Sequence, residues 1–303
     1  MNQNDFINLL KLGRFHFLGA GFFLFTAGAL LAVLLNFPFS LERYILGYLV
    51  VLPAHLSVSY SNDYFDVEVD KYGEPTLFTG GSGILVKHPH LRPLARKIAL
   101  ALITVSVTLA LFFTIYYQVP LFLILSFMGI FLAWYYSAPP LQLSYRGWGE
   151  LAMVVSGFLI PCLGFLALAG FLNLQIILFT LPAMCYQVVF IMSVEIPDLE
   201  TDQKGHKHTY IVKHGRRTGF MLAGLFGILS SILFLFTALS KVYTVPDFLM
   251  VALISLLPAG IGLWSWWKGT NHREVATRMA TYNLIGLFGF IIILDAYFWS
   301  LLR

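Results

Sequence analysis

Charge is what this sequence has least of. Lys, Arg, Asp and Glu together make up 11% of the 303 residues and apolar residues 58%, against roughly 25% and about 45–50% in a typical soluble domain. A soluble core of this size needs a charged shell, and the residues to build one are missing. The bilayer is therefore expected to be the solvent for most of the surface. The excess of one sign is also small: a net charge of +4 gives no case for a nucleic-acid partner, and none is expected. Cysteine is equally scarce. Cys162 and Cys185 both sit in apolar runs with no CxxC spacing, so buried free thiols are expected rather than a metal or redox centre. No cleavable signal peptide is expected either, because the first apolar run is too long and lacks a small-residue cleavage site.

Long apolar runs are what the chain has instead. A spanning helix needs about 20 mostly apolar residues, and nine runs qualify, approximately 15–37, 44–62, 95–116, 119–136, 150–171, 174–195, 217–240, 247–267 and 280–301. The short breaks at Tyr117–Gln118 and Asn173 predict tight helical hairpins. With nine spans, alternate loops share a side with the N-terminus. That side carries 16 of the 19 Lys and Arg residues; only Arg43, Lys241 and Arg303 fall on the other. Positive residues gather in the cytoplasm, so the N-terminus is expected inside and the C-terminus outside. The long loops, about 63–94 and 196–216, share the cytoplasmic side, and function is expected there.

Two acidic clusters stand at cytoplasmic helix ends. In Ser61-Asn62-Asp63-Tyr64-Phe65-Asp66-Val67-Glu68-Val69-Asp70, residues Asn62, Asp66 and Asp70 are spaced by four, so a continuing helix lines them along one face. Like charges at that spacing repel, and ionised carboxylates beside hydrocarbon are costly. A hard divalent cation with oxygen ligands offsets both penalties; a solvated acidic helix end is the plainer alternative. The sixth span ends similarly in Glu195-Ile196-Pro197-Asp198-Leu199-Glu200-Thr201-Asp202, with Asp198 and Asp202 again four apart. Pro197 predicts a kink that redirects these carboxylates, and Glu195 lies a turn deeper. Each cluster follows an even-numbered span, with four helices between them. The expected fold is thus an all-α membrane protein, one domain over 1–303. Two four-helix pseudo-repeats (about 14–140 and 148–268) and a ninth helix (280–301) would surround a central cavity open to the cytoplasm. Two carboxylate sets on one cavity could hold two or more metal ions on a single diphosphate. The pairs His88/His90 and His206/His208 lie in polar loops without Cys partners or an HExxH helix, and are read as surface histidines.

Asn62-Asp63-x-x-Asp66-x-x-x-Asp70 followed by Asp198-x-x-x-Asp202 resembles the UbiA superfamily of intramembrane prenyltransferases. The likeness covers nearly the whole chain. It extends to Asp70-Lys71-Tyr72-Gly73-Glu74-Pro75, to Tyr136-Ser137-Ala138-Pro139-Pro140 with Arg146-Gly147-Trp148-Gly149-Glu150, and to Asp202 through Lys207 and Thr209. The chain departs where many members carry Arg-Pro after the first motif; here it reads Thr76-Leu77-Phe78-Thr79-Gly80-Gly81-Ser82-Gly83. The arginine that could clamp a diphosphate is absent. Glycine amides of a nest-like turn, or merely a flexible loop, stand in its place. The Pro-Pro and Gly-x-Gly-Glu pattern is more similar to members acting on naphthoquinone precursors, such as dihydroxynaphthoate polyprenyltransferases.

The resemblance implies a membrane-embedded transferase. Mg2+ held by Asn62, Asp66, Asp70, Asp198 and Asp202 would grip the diphosphate of a polyprenyl donor, with Asn62, Lys207 and Arg146 as diphosphate-binding groups. An allylic cation would form in a water-free pocket, facing the ring of Tyr136. A small aromatic acceptor, a quinone precursor, would attack it and lose a proton to Asp63 or Glu195. Other acceptors, a lipid alcohol or a porphyrin, remain open. A transporter of an organic anion is the competing class, but transporter sites usually lie at the bilayer midplane on broken helices, whereas these clusters lie within a few residues of span ends.

Overall fold

Backbone groups in hydrocarbon must satisfy one another within the segment, which makes long apolar runs helical. The structure, a computed structural model, describes residues 3–302 apart from Pro75, Leu77 and Thr79. Parts of the stretch after the first acidic motif, and Arg303, therefore lie outside the described residues. The principal helices are α1 (Gln3–Leu12), α2 (Leu18–Leu34), α3 (Leu41–Asp70), α4 (Arg92–Tyr117), α5 (Pro120–Tyr135), α6 (Gly149–Ala169), α7 (Leu174–Lys204), α8 (Arg216–Leu239), α9 (Phe248–Lys268) and α10 (Arg273–Ser300), and the described residues form no strand.

Eight stretches among the described residues are long and apolar enough to cross a membrane, with α1 and α2 taken together as one. The expected fourth span is the exception: α5 has 16 residues, fewer than the ~20 that span hydrocarbon squarely. Its end falls where Ser137-Ala138-Pro139-Pro140 leaves the helical path. The two acidic helices differ in the other direction. Both α3 and α7 run well past the hydrocarbon lengths read from the sequence, so each acidic cluster rides on its own spanning helix instead of the loop beyond it. Pro197 does not end α7. Arg216 Nε donates to Ile196 O at 2.9 Å and Arg273 Nε to Pro197 O at 3.3 Å, giving cationic donors to carbonyls at the proline turn.

Side chains and turns set the boundaries. Ser40 caps α3 by accepting from Arg43 N, and Asn173 caps α7 by accepting from Ile176 N. The α4–α5 hairpin turns on Gln118 in the left-handed region, and the α6–α7 hairpin on Gly170, φ +81°. Small residues then bring helices together. A Cβ at Gly28 would stand 2.0 Å from Pro161 O, and one at Gly164 would stand 1.9 Å from Phe25 O. Helices α2 and α6 therefore meet backbone to backbone, the close approach that small residues permit in membranes. The outer wall is apolar in turn: Leu239 is 71% exposed and Ile115 68%. Enclosed by α2, α3, α5, α6, α7 and α10 is a cavity of about 410 Å3 that runs from Asp70 and Asp202 at one end to Val50, Phe179 and Leu294 at the other.

Candidate active site

Helices α3 and α7 point their C-terminal ends the same way, which places both acidic clusters at one mouth of the cavity. Asn62, Asp63, Asp66 and Asp70 line it from α3, and Glu195, Asp198 and Asp202 line it from α7. The two sets face each other across one cation. Lys207 Nζ lies 3.0 Å from Asp66 Oδ2 and 3.7 Å from Asp202 Oδ1. It is aimed there by a turn after α7 in which Lys207 N donates to Asp202 O at 2.9 Å. Burial works against the charge on Lys207, but Asp66 and Asp202 outweigh it, and its pKa stands well above the ordinary lysine value. Asp66 also accepts from Tyr145 Oη at 2.9 Å and from Ser137 Oγ at 3.2 Å. Burial, then the Asp66 charge, raises the pKa of the Tyr145 phenol, which keeps it a proton donor.

The glycine loop folds back over the carboxylates. Gly80 N donates to Asp198 Oδ2 at 2.9 Å. Ser82 N donates to Asp63 Oδ2 at 3.1 Å, and its hydroxyl donates to the same oxygen. Gly81 comes so close to Asp70 that a Cβ there would stand 1.9 Å from Asp70 Oδ2, a contact only glycine allows. Of the two readings of Gly80–Gly83, neither a free loop nor an amide nest open to an anion matches this arrangement: the amides are spent on the acidic side chains themselves.

The missing positive charge comes from elsewhere in the chain. Arg14, between α1 and the short turn Phe15–Phe17, lines the cavity and lies in the electrostatic field of Asp63, Asp198 and Asp70. Its backbone is left-handed, φ 46° and ψ 49°, which costs a non-glycine residue about 1–2 kcal/mol. Its guanidinium lies 4.7 Å from the Phe17 ring; among the described residues it makes no ion pair within 4 Å. In the sequence this arginine looked like one more cytoplasmic positive charge, and only its place at a helix break could have marked it. Arg146 is the opposite case. Its side chain is exposed, donates to Pro140 O at 2.7 Å, and is not among the cavity-lining residues. The structure does not bring it to the carboxylates. Neighbouring residues on a helical turn point about 100° apart, so in the short helix Leu143–Arg146 it is Tyr145 that reaches inward.

Tyr136 and Glu195 both line the cavity one step inside the carboxylate ring. Glu195 Oε2 and Asn62 Oδ1 are buried without a hydrogen-bond partner. Among the described residues no three carboxylates, imidazoles or thiols converge as a ready-made metal cluster, because the aspartates are held apart by Lys207 and by the loop amides.

An all-helical membrane chain with paired acidic helix ends over an apolar chamber is the class these features define. The sequence matches the UbiA prenyltransferase family over residues 21–288, and the chain belongs to that family, a family of multi-pass membrane prenyltransferases. Its fold is similar to that of a UbiA homologue from Archaeoglobus fulgidus bound to GPP and Mg2+, at 14% identity, TM-score 0.67, with 95% of this chain and 99% of that one covered. It is similar also to digeranylgeranylglyceryl phosphate synthase (17% identity, TM-score 0.67, 98% and 99% covered) and to an apo UbiA homologue from Aeropyrum pernix K1 (16%, 0.64, 90% and 97%). No curated protein matches the chain in sequence.

Proposed function

We propose that this protein transfers a prenyl group from a prenyl diphosphate to a small aromatic acceptor inside the membrane, with the acidic helix ends and both long loops on the cytoplasmic side. The observation that carries this reading is the mouth of the cavity. Carboxylates from α3 and α7 face each other there with two cations among them, and the apolar chamber behind is the right chemistry for an isoprenoid tail. Solved relatives bound to GPP and Mg2+ and to DMAPP and Mg2+ support the donor class.

The oxygens present fit magnesium. Asn62, Asp66, Asp70, Asp198 and Asp202 offer only hard donors, and Asn62 Oδ1 is buried with no partner of its own. Sites of this kind supply a few carboxylates and leave the remaining positions to phosphate oxygens and water, which suits carboxylates that do not converge by themselves. When bound, Mg2+ supplies charge neutralisation on the departing diphosphate. The other roles belong to side chains. Arg14 and Lys207 donate to diphosphate oxygens, and those bonds strengthen as negative charge builds on the leaving group. Tyr136 turns its ring to the allylic carbon. The apolar wall keeps water from the cation. Glu195 takes the acceptor's proton, since its Oε2 is unpartnered while Asp63 is occupied by Ser82.

The test is direct. Purified protein incubated with geranyl diphosphate, Mg2+ and a panel of hydroxyarenes and lipid alcohols should release diphosphate and form a prenylated arene, and EDTA should stop both. Failure to release diphosphate from any donor would overturn the assignment.

A further inference from the structure

Eight or more residues deeper than the carboxylates, the cavity wall is mostly hydrocarbon; its polar side chains are serines, Tyr186, whose hydroxyl is buried in the protein, and two others. His55 on α3 and Gln187 on α7 both line the cavity. His55 precedes Asp66 and Gln187 precedes Asp198 by the same three helical turns, about 16 Å of helix at ~1.5 Å per residue. Gln187 is 9% exposed, and among the described residues no hydrogen bond to either side chain is found. The serines around them differ. Ser106 Oγ donates to Val50 O at 2.7 Å, Ser126 Oγ to Phe122 O at 2.7 Å and Ser156 Oγ to Met153 O at 2.6 Å, so the hydroxyls are already spent on helix carbonyls.

Each of the two is seated against a glycine. A Cβ at Gly21 of α2 would stand 2.5 Å from His55 Nδ1, and one at Gly157 of α6 would stand 2.7 Å from Gln187 Cγ. An alanine at Gly21 would meet the imidazole alone and displace it, whereas one at Gly157 would also stand 2.9 Å from Ala183 O, so that glycine serves the close approach of α6 and α7 as well. Yet an isoprenoid tail offers neither donor nor acceptor, and passing it over an unpaired imidazole and amide is unfavourable. A neutral imidazole has one donor and one acceptor, and a carboxamide has both. Together they suit a ligand oxygen that can give and take a hydrogen bond.

We propose that His55 and Gln187 are a specificity-determining pair that hydrogen-bonds the hydroxyl or carbonyl oxygen of a flat, uncharged aromatic acceptor deep in the chamber, while the donor's diphosphate stays at the carboxylate mouth. This rests on the prenyl-transfer reading of the same cavity. It divides the two substrates by chemistry: charge at the helix ends, a single polar contact at depth.

The probes are 1-naphthol and naphthalene, which share a skeleton and differ in the hydroxyl. Their affinities are read by fluorescence on protein in nanodiscs, with empty nanodiscs subtracted for partitioning. Wild type should prefer 1-naphthol about ten-fold, the factor expected when one hydrogen bond in apolar surroundings goes unmade. His55→Phe and Gln187→Leu should each bring the preference close to parity, and Gly21→Ala should do so by pushing His55 aside. Binding of Mg2+ with inorganic pyrophosphate should stay unchanged in all three, which separates loss of the contact from loss of the fold. Equal affinities in wild type, or a preference that survives both His55→Phe and Gln187→Leu, would overturn the proposal. Geranyl transfer is followed in parallel. A preference that depends on His55 and Gln187, without any transfer, upholds the pair and removes only the enzymatic reading; transfer with no such preference removes the pair alone.

Discussion

Arg14 provides the sharpest test of how the site grips an anion. It occupies a left-handed backbone position, φ 46°, that only glycine adopts without strain, and its side chain lines the cavity within the electrostatic field of Asp63, Asp198 and Asp70. Strain of about 1–2 kcal/mol retained beside three carboxylates is the pattern of a residue held for binding. Two substitutions separate the terms. Arg14→Gln removes the charge and leaves the backbone cost. Charge-assisted hydrogen bonds contribute about 1.5–3 kcal/mol, so affinity for pyrophosphate in Mg2+ should fall roughly 10- to 150-fold. Arg14→Gly removes charge and strain together: binding should fall equally, while the thermal midpoint in detergent should not. Arg14→Lys should recover only part of the affinity, because an ammonium lacks the planar fork that pairs two phosphate oxygens. Calorimetric titration with Mg2+ and pyrophosphate reads all three. Affinities for Arg14→Gln within two-fold of wild type would refute the reasoning.

Further expectations follow from the same geometry. Asp66→Asn and Asp198→Asn should each cut turnover by well over ten-fold, and the double variant should fall far short of the product of the two, as for residues acting as a unit; multiplicative losses in steady-state kinetics would argue for separate sites. Lys207→Met leaves Asp66 and Asp202 facing each other unpaired, and breaking a buried pair of this kind costs about 3–5 kcal/mol, readable as a lower thermal midpoint that Lys207→Met with Asp66→Asn partly restores. Because the pKa of Lys207 is raised, its contribution is fully present below the ordinary lysine value of ~10.4 and is lost only as pH climbs past the folded-state value; the thermal gap between wild type and Lys207→Met should therefore not narrow from neutral to mildly alkaline pH. Cysteines placed at Gly80 and Lys204 should react only with cytoplasmic reagent and one at Thr244 only from outside, and labelling of the first two from opposite sides would contradict a shared site. Fluorine on the allylic donor should slow transfer steeply, since it withdraws electrons from a forming cation; equal rates with chemistry limiting would exclude that path.

Helices and acid clusters were legible because both are local. A run of about 20 apolar residues has one outcome in hydrocarbon, and a spacing of four fixes which residues share a helix face. Asn62, Asp66 and Asp70 could therefore be set on one face of one helix, and Asp198 and Asp202 on one face of another, before any coordinates. What failed to show depended on contacts across the chain. Arg216 and Arg273, residues from two later helices, donate to the carbonyls of Ile196 and Pro197 on α7, contacts that the residues around Pro197 do not announce. The choice of Tyr145 over Arg146 turns on the rotation of a four-residue helix, which motif matching does not register. Arg14 lies 49 residues before the first of the aspartates it faces, and nothing in its neighbours predicts that meeting.

The charges at the cavity mouth explain why the site stands at helix ends when the chamber continues far below. Five aspartates line the opening, and only Arg14 and Lys207 among the cavity-lining residues bring positive charge to them. A set so unbalanced is stable only where polar partners are within reach, and the mouth supplies them. Lys207 bridges Asp66 and Asp202, and Tyr145 and Ser137 cover Asp66. Gly80 and Ser82 donate to Asp198 and Asp63. Three turns deeper the wall is mostly hydrocarbon, broken by the uncharged His55 and Gln187, and an unpaired carboxylate there would be far more costly. Charge is thus confined to the level at which α3 and α7 end, and the chamber behind it is left largely apolar. The same gradient shows why a one-residue shift of either helix would be damaging: it would rotate Asp66 or Asp198 about 100° off the cavity face and break the pairing that joins the two helices at the mouth.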